Sequence, residues 1–159
     1  MKKLLLLLTL VLACPFAKAQ DFSKLNNYEF KTAESYQPQE DNVLLCANYL
    51  FDHPANQNEM NRKISIQFIT KWMTGTPNYD FVLDENVLEL TKGNDALFGL
   101  YMAAMTKVVL EHKGETLSPD QVYQQAENIL VDYCANEENN MKPSKKIKKL
   151  IKTGKVKNY

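Results

Sequence analysis

The chain predicts an all-α protein: a single helical bundle of about four main helices, with short helices, an N-terminal arm and a basic C-terminal tail. Three observations carry this. Apolar residues recur every three or four positions through four long stretches, the period of a helix with one buried face. No run alternates apolar and polar residues long enough to make a strand, and neither Asn-Gly nor Asp-Gly occurs as a hairpin turn. Helix-start and helix-stop residues punctuate the stretches. At 159 residues the chain has room for one domain. The expected organisation is a signal peptide at 1–19, an arm at 20–37, a helical domain at 38–141 and a lysine-rich helix and tail at 142–159.

Met1-Lys2-Lys3 is a basic start, Leu4 to Ala13 is apolar apart from Thr9, and Ala17-Lys18-Ala19 offers small residues at a cleavage site. That is the layout of a secretory signal, with cleavage expected after Ala19. The apolar core is too short for a bilayer of ~30 Å, which needs ~20 helical residues. A rival reading makes Cys14 a lipid-modified N-terminus, but bulky Leu12 stands where that signal has a small residue. The expected product is a soluble exported protein, periplasmic or extracellular.

The arm is polar with scattered aromatics (Phe22, Tyr28, Phe30, Tyr36) and reads as extended, with a helical turn near Phe30 to Tyr36. Pro38, Glu40 and Asp41 suit the first turn of a helix, where Pro costs no hydrogen bond and acids face the positive dipole end. Val43, Leu44, Ala47, Leu50 and Phe51 continue it, and Pro54 stops it. A second helix starts near Asn56 to Asn58. It carries Met60, Ile64, Phe68 and Trp72 on one stripe, Arg62, Lys63, Gln67 and Lys71 on other faces, and Gly75 as a left-handed stop. Asp84 caps a short helix through Val87, Leu88 and Leu90. Asn94 or Asp95 caps a third long helix, apolar nearly all round and therefore central. Ser118-Pro119-Asp120-Gln121 is a capping box that opens a fourth. Pro143 and Ser144 open a last short helix bearing Ile147, Leu150 and Ile151, and residues after Thr153 should fray.

Cleavage would leave 16 basic and 19 acidic side chains. Residues 142–159 hold eight lysines and no acid, so residues 20–141 carry a net charge of −11. Cys46 and Cys134 are the two remaining thiols. Export favours a disulfide between them. Such a bridge would close a loop of nearly ninety residues and contribute roughly 4–5 kcal/mol in the chain-entropy model.

No Gly-rich phosphate loop and no Gly-x-Ser-x-Gly elbow occurs. His53 and His112 sit at helix ends, where capping accounts for them. His112 with Glu111 or Glu115 is too small a set for a closed metal site. The acid pairs Glu40/Asp41, Asp84/Glu85 and Glu137/Glu138 also fall at helix ends. A bundle of this size is expected to have little room for a deep cleft that a paired-carboxylate mechanism would need. The aromatic corner at Trp72, Tyr79 and Asp80 is a recognition candidate, although the register of Trp72 favours a core role. Lys145, Lys146, Lys148, Lys149 and Lys152 form a basic surface that docks on the chain's own acidic body or on a partner. Lysine without arginine or stacking aromatics is poor nucleic-acid readout. The sequence thus favours a non-catalytic protein-binding module without cofactor, metal or nucleic acid. A hydrolase with carboxylates converging only in the fold is an alternative. So is an apolar-ligand carrier or peripheral membrane protein using the basic tail. In size, export and helix content the chain resembles small exported helical proteins of Gram-negative bacteria, periplasmic immunity proteins among them. No motif matches residue by residue.

Overall fold

The computed structural model describes residues 22–55 and 59–154, and all regular structure among them is helical. The signal segment 1–19, its cleavage position and Cys14 lie outside the described residues, as do Lys155 and Lys157.

Residues 22–39 fold onto the body rather than standing out as an extended arm, and the turn expected near Phe30 to Tyr36 is present at Ala33–Ser35. Helix α1 (Ser23–Asn26) and two 3-10 turns (Ala33–Ser35 and Gln37–Gln39) carry the aromatics inward. Phe22 is buried and meets Tyr49 at 4.9 Å between ring centroids. Phe30 stacks on Tyr36 at 4.5 Å and reaches Phe68 at 5.4 Å. Aromatic pairs of this kind add about 0.5–1.5 kcal/mol beyond the area they bury, enough to order a short polar segment.

Helix α2 (Glu40–Asp52) buries Val43, Cys46, Ala47 and Leu50. Helix α3 (Met60–Gly75) is capped by Glu59, whose carboxylate accepts from the backbone N–H groups of Asn61 and Arg62. Helix α4 (Glu85–Thr91) is capped by Asp84 and helix α5 (Asp95–Glu111) by Asn94. Helix α6 (Pro119–Ala135) begins with the expected capping box, Ser118 and Gln121 each satisfying the other's backbone N–H. Helix α7 (Lys145–Thr153) is capped by Ser144 and closed by left-handed Gly154. Helix α5 packs against α2, α3, α4 and α6, as its all-round apolar surface requires.

Three expectations are corrected. Arg62 is buried rather than on a polar face, and its Nη1 donates to the carbonyls of Leu50 (2.9 Å) and His53 (3.1 Å). Pro54 stops α2 and leaves its last carbonyls without helical partners, so a buried cation there satisfies both hydrogen bonding and the helix dipole. Tyr133 donates to the same His53 carbonyl at 2.7 Å. Gly75 is helical rather than left-handed; a Cβ there would lie 2.1 Å from Tyr36 Oη and 2.8 Å from its Cζ. The glycine makes room for the N-terminal aromatics.

The third correction is the disulfide: Cys46 and Cys134 are free, buried thiols. Tyr133 reaches His53, so the C-terminal ends of α6 and α2 lie together. Cys46 stands seven residues before His53, and at helical rise that is ~10 Å down α2, while a disulfide needs Cα atoms within ~7 Å. Burial pushes each thiol up to about 12, and Ser65 beside Cys46 opposes that weakly.

Helix α7 lies on α6 and α4. Ile147 is fully buried, and Leu150 and Ile151 pack against the core. No helix among the described residues is long and apolar enough to cross a membrane.

Candidate functional site

A cleft of about 540 Å³ opens between the segment following α3, one face of α5 and the start of α6. Pro77 follows the end of α3, and Pro119 opens α6 at the edge of the cleft. Tyr101, Met105, Val109 and His112 form the wall from α5. Their spacing of four, four and three places them on one helical face. Val122 and Tyr123 of α6 stand opposite, and Tyr79 and Asp80 close the third side.

The hydroxyls of the two inner tyrosines have different partners. Tyr123 donates to Glu127 Oε2 at 2.8 Å and accepts from Lys146 Nζ at 3.1 Å. The same ammonium lies 5.7 Å from the Tyr123 ring centroid and donates to the Asn86 carbonyl at 3.4 Å. Tyr101 is fully buried, and its hydroxyl has no hydrogen-bond partner. Burial, then the charges of Asp84 and Glu127, push the Tyr101 phenol well above its ordinary range. Burial and the Glu127 hydrogen bond do the same to Tyr123. Both phenols are therefore neutral at any physiological pH.

The rim is acidic. Asp80, Asp84, Glu115 and Asp120 line the cleft and are exposed. Hydrogen bonds from the Asn86 side chain and the Val87 backbone hold the Asp84 carboxyl below its usual range, so it is ionised and already caps α4. His112 Nδ1 contacts the Val108 carbonyl at 2.8 Å. A carbonyl only accepts, so Nδ1 carries the proton and caps the end of α5. His53 repeats the arrangement on the Tyr49 carbonyl at 2.9 Å. Among the described residues no three His, Cys, Asp or Glu side chains converge as a metal-holding group.

Of the sequence-selected surface, Tyr79 and Asp80 line the cleft and Lys146 closes on it through Tyr123. Trp72 is wholly buried beside Tyr79, 5.4 Å between ring centroids, and does not line the cleft. Lys145, Lys148, Lys149 and Lys152 are exposed on α7 and do not line the cleft. Sequence reasoning missed Tyr101, Tyr123 and Asp120 as site residues. Both tyrosines sat on apolar stripes and passed as core. The signal available was the phenol oxygen, which a core position must satisfy. A second recess of about 370 Å³ includes Arg62 and Asn94 in its lining, whose polar groups are engaged with backbone carbonyls.

No protein-family model, curated protein or solved structure matches this chain.

Proposed function

We propose that this chain is an exported, non-catalytic protein-interaction module that receives its partner in the tyrosine-lined cleft. The observation that carries the reading is the cleft's construction: phenol and aliphatic walls surrounded by exposed carboxylates. Ionised, solvated carboxylates attract a basic partner and steer its approach. General-acid work needs a carboxyl raised toward neutrality, whereas Asp84 is held below its ordinary range. Exposed Val82 in the cleft lining, and exposed Leu83 and Leu88 close to it in the chain, add apolar contact area of the kind protein partners cover. In this reading the four helices of 13 to 17 residues are the rigid frame of the bundle. The leader pattern at 1–19 directs the chain to the periplasm or cell exterior. Burial of Ile147 supports this reading over insertion of the basic helix into lipid, because its apolar side is already covered.

The test is capture from a native cell-envelope fraction with the chain beginning at Gln20, alongside an Asp80→Asn/Asp120→Asn variant. A protein retained by the wild type and released by the variant supports the reading. Equal retention removes the cleft from it. The hydrolase alternative draws on His112 sharing the cleft with Glu115 and Asp120. Turnover of any substrate by the purified chain, lost in His112→Gln, would replace binding with catalysis.

A further inference from the structure

Among the described residues five buried side-chain polar atoms lack a hydrogen-bond partner, and of these only the Tyr101 hydroxyl belongs to a residue lining the cleft. A buried unsatisfied hydroxyl costs on the order of a hydrogen bond's desolvation and is retained in native proteins where something else uses it. Around it stand carboxylates at Asp80, Asp84, Glu115 and Asp120. The nearby cations are already engaged: Lys113 is paired with Glu40 at 2.8 Å and Lys146 is bound to Tyr123.

We infer that the cleft recognises a lysine side chain carried on an extended, partly apolar segment of the partner protein, with the ammonium group directed to the phenol of Tyr101. This rests on the interaction reading above and names what is recognised. The walls suit a lysine stem, since Met105, Val109 and Val122 are aliphatic while the phenols accept hydrogen bonds at the head. The molecule holds one such contact already. The Lys146 ammonium donates to a phenol oxygen and lies within cation–π range of its ring. Arginine fits less well, because its planar fork seeks a bidentate carboxylate, whereas an ammonium with three rotatable donors suits isolated phenol oxygens. A free polyamine would satisfy the charges but leave Val82, Leu83 and Leu88 uncovered, at 52%, 47% and 59% exposure. Apolar residues flanking the lysine would cover them.

Calorimetric titration with a short peptide alternating lysine with leucine or valine tests this. Emission of Trp72, the chain's one tryptophan and a neighbour of Tyr79, is a second readout. The peptide should bind saturably and more weakly as salt is raised. Its lysine-acetylated form should not bind, and its arginine form should bind roughly tenfold more weakly. Tyr101→Phe should weaken binding roughly tenfold, the usual worth of one hydrogen bond. The same variant should raise the melting temperature of the free protein, because the unsatisfied hydroxyl is gone. A purely structural tyrosine would not move the two readouts in opposite directions. Equal binding of the acetylated peptide, no loss in Tyr101→Phe, or binding of spermidine but not the peptide would overturn the inference. So would sedimentation showing a dimer that disappears on deletion of residues 155–159, which would make a second copy the occupant. If the lysine peptide fails while envelope capture still depends on Asp80 and Asp120, the inference falls and the interaction reading stands.

Discussion

Arg62 is the chain's one arginine, and it closes the end of a neighbouring helix from inside the protein. Removing it leaves the buried Leu50 carbonyl without a donor and the His53 carbonyl with Tyr133 alone. Arg62→Met should therefore destabilise by about 2–3 kcal/mol, as expected for loss of a charge-assisted pair of hydrogen bonds. Tyr133→Phe removes one neutral bond to the same place and should cost about 1 kcal/mol. Urea unfolding measures both, and near-equal losses would mean that the guanidinium is not the dominant clamp. Gly75 acts through a neighbour rather than through its own dihedral freedom. Gly75→Ala should cost about 1–3 kcal/mol through overpacking against Tyr36. Tyr36→Phe should recover part of that loss in a double-mutant cycle, since the nearest clash is with the hydroxyl.

Helix α7 shows how a basic segment is held by one apolar anchor and one cap. Eight lysines among its eighteen C-terminal residues would keep this part of the chain solvated, yet Ile147 is fully buried and Ser144 accepts from the Ile147 backbone N–H at 3.1 Å. Ile147→Ala should release the helix, with a loss of about 2–4 kcal/mol in its local opening energy. Amide exchange across 145–153 should rise toward the unfolded rate while exchange in α5 stays slow. Protection lost equally in both helices would make α7 part of the global unfolding unit instead. Helix α6 was legible because its start signal is local: Ser118, Pro119 and Gln121 act within one turn. The arm was not, because its order comes from Phe68 and Tyr49 on other helices, far away in sequence.

Burial disfavours the ionised forms of two thiols and several phenols, and this sets the molecule's response to alkali. Cys46 and Cys134 are pushed from an ordinary 9.0 up to about 12, and Tyr101, Tyr123 and Tyr133 are raised from 10.0 by burial. In each case the folded state holds the proton more tightly than the unfolded chain. The stabilisation is therefore complete below pH 9 and is lost as pH climbs from there toward 12. Melting temperature followed by circular dichroism should be flat from neutrality to about pH 9 and fall steeply above it. Cys46→Ala with Cys134→Ala should blunt the fall between those two limits; an unchanged slope would assign it to the phenols alone. The same burial predicts that, in the chain beginning at Gln20, a thiol reagent titrates no cysteine in the native state and two in denaturant without reductant. A chain from Gln20 that gives none after denaturation would restore the disulfide.

Periodicity settled the helical class, the central place of α5 and most of the caps, because those depend on residues within one or two turns of one another. A stripe of apolar positions says that a face is covered. It does not say by what, and three features turned on that. Helix α5 separates most of α2 from α6, so the two thiols did not meet. Arg62 found carbonyls that Pro54 had left open on another helix. Tyr101 came to the wall of a cleft bounded by the segment after α3 and the start of α6. Each is a relation between segments remote in sequence, fixed by how rods of given length stack and by which polar atoms that stacking leaves without a partner.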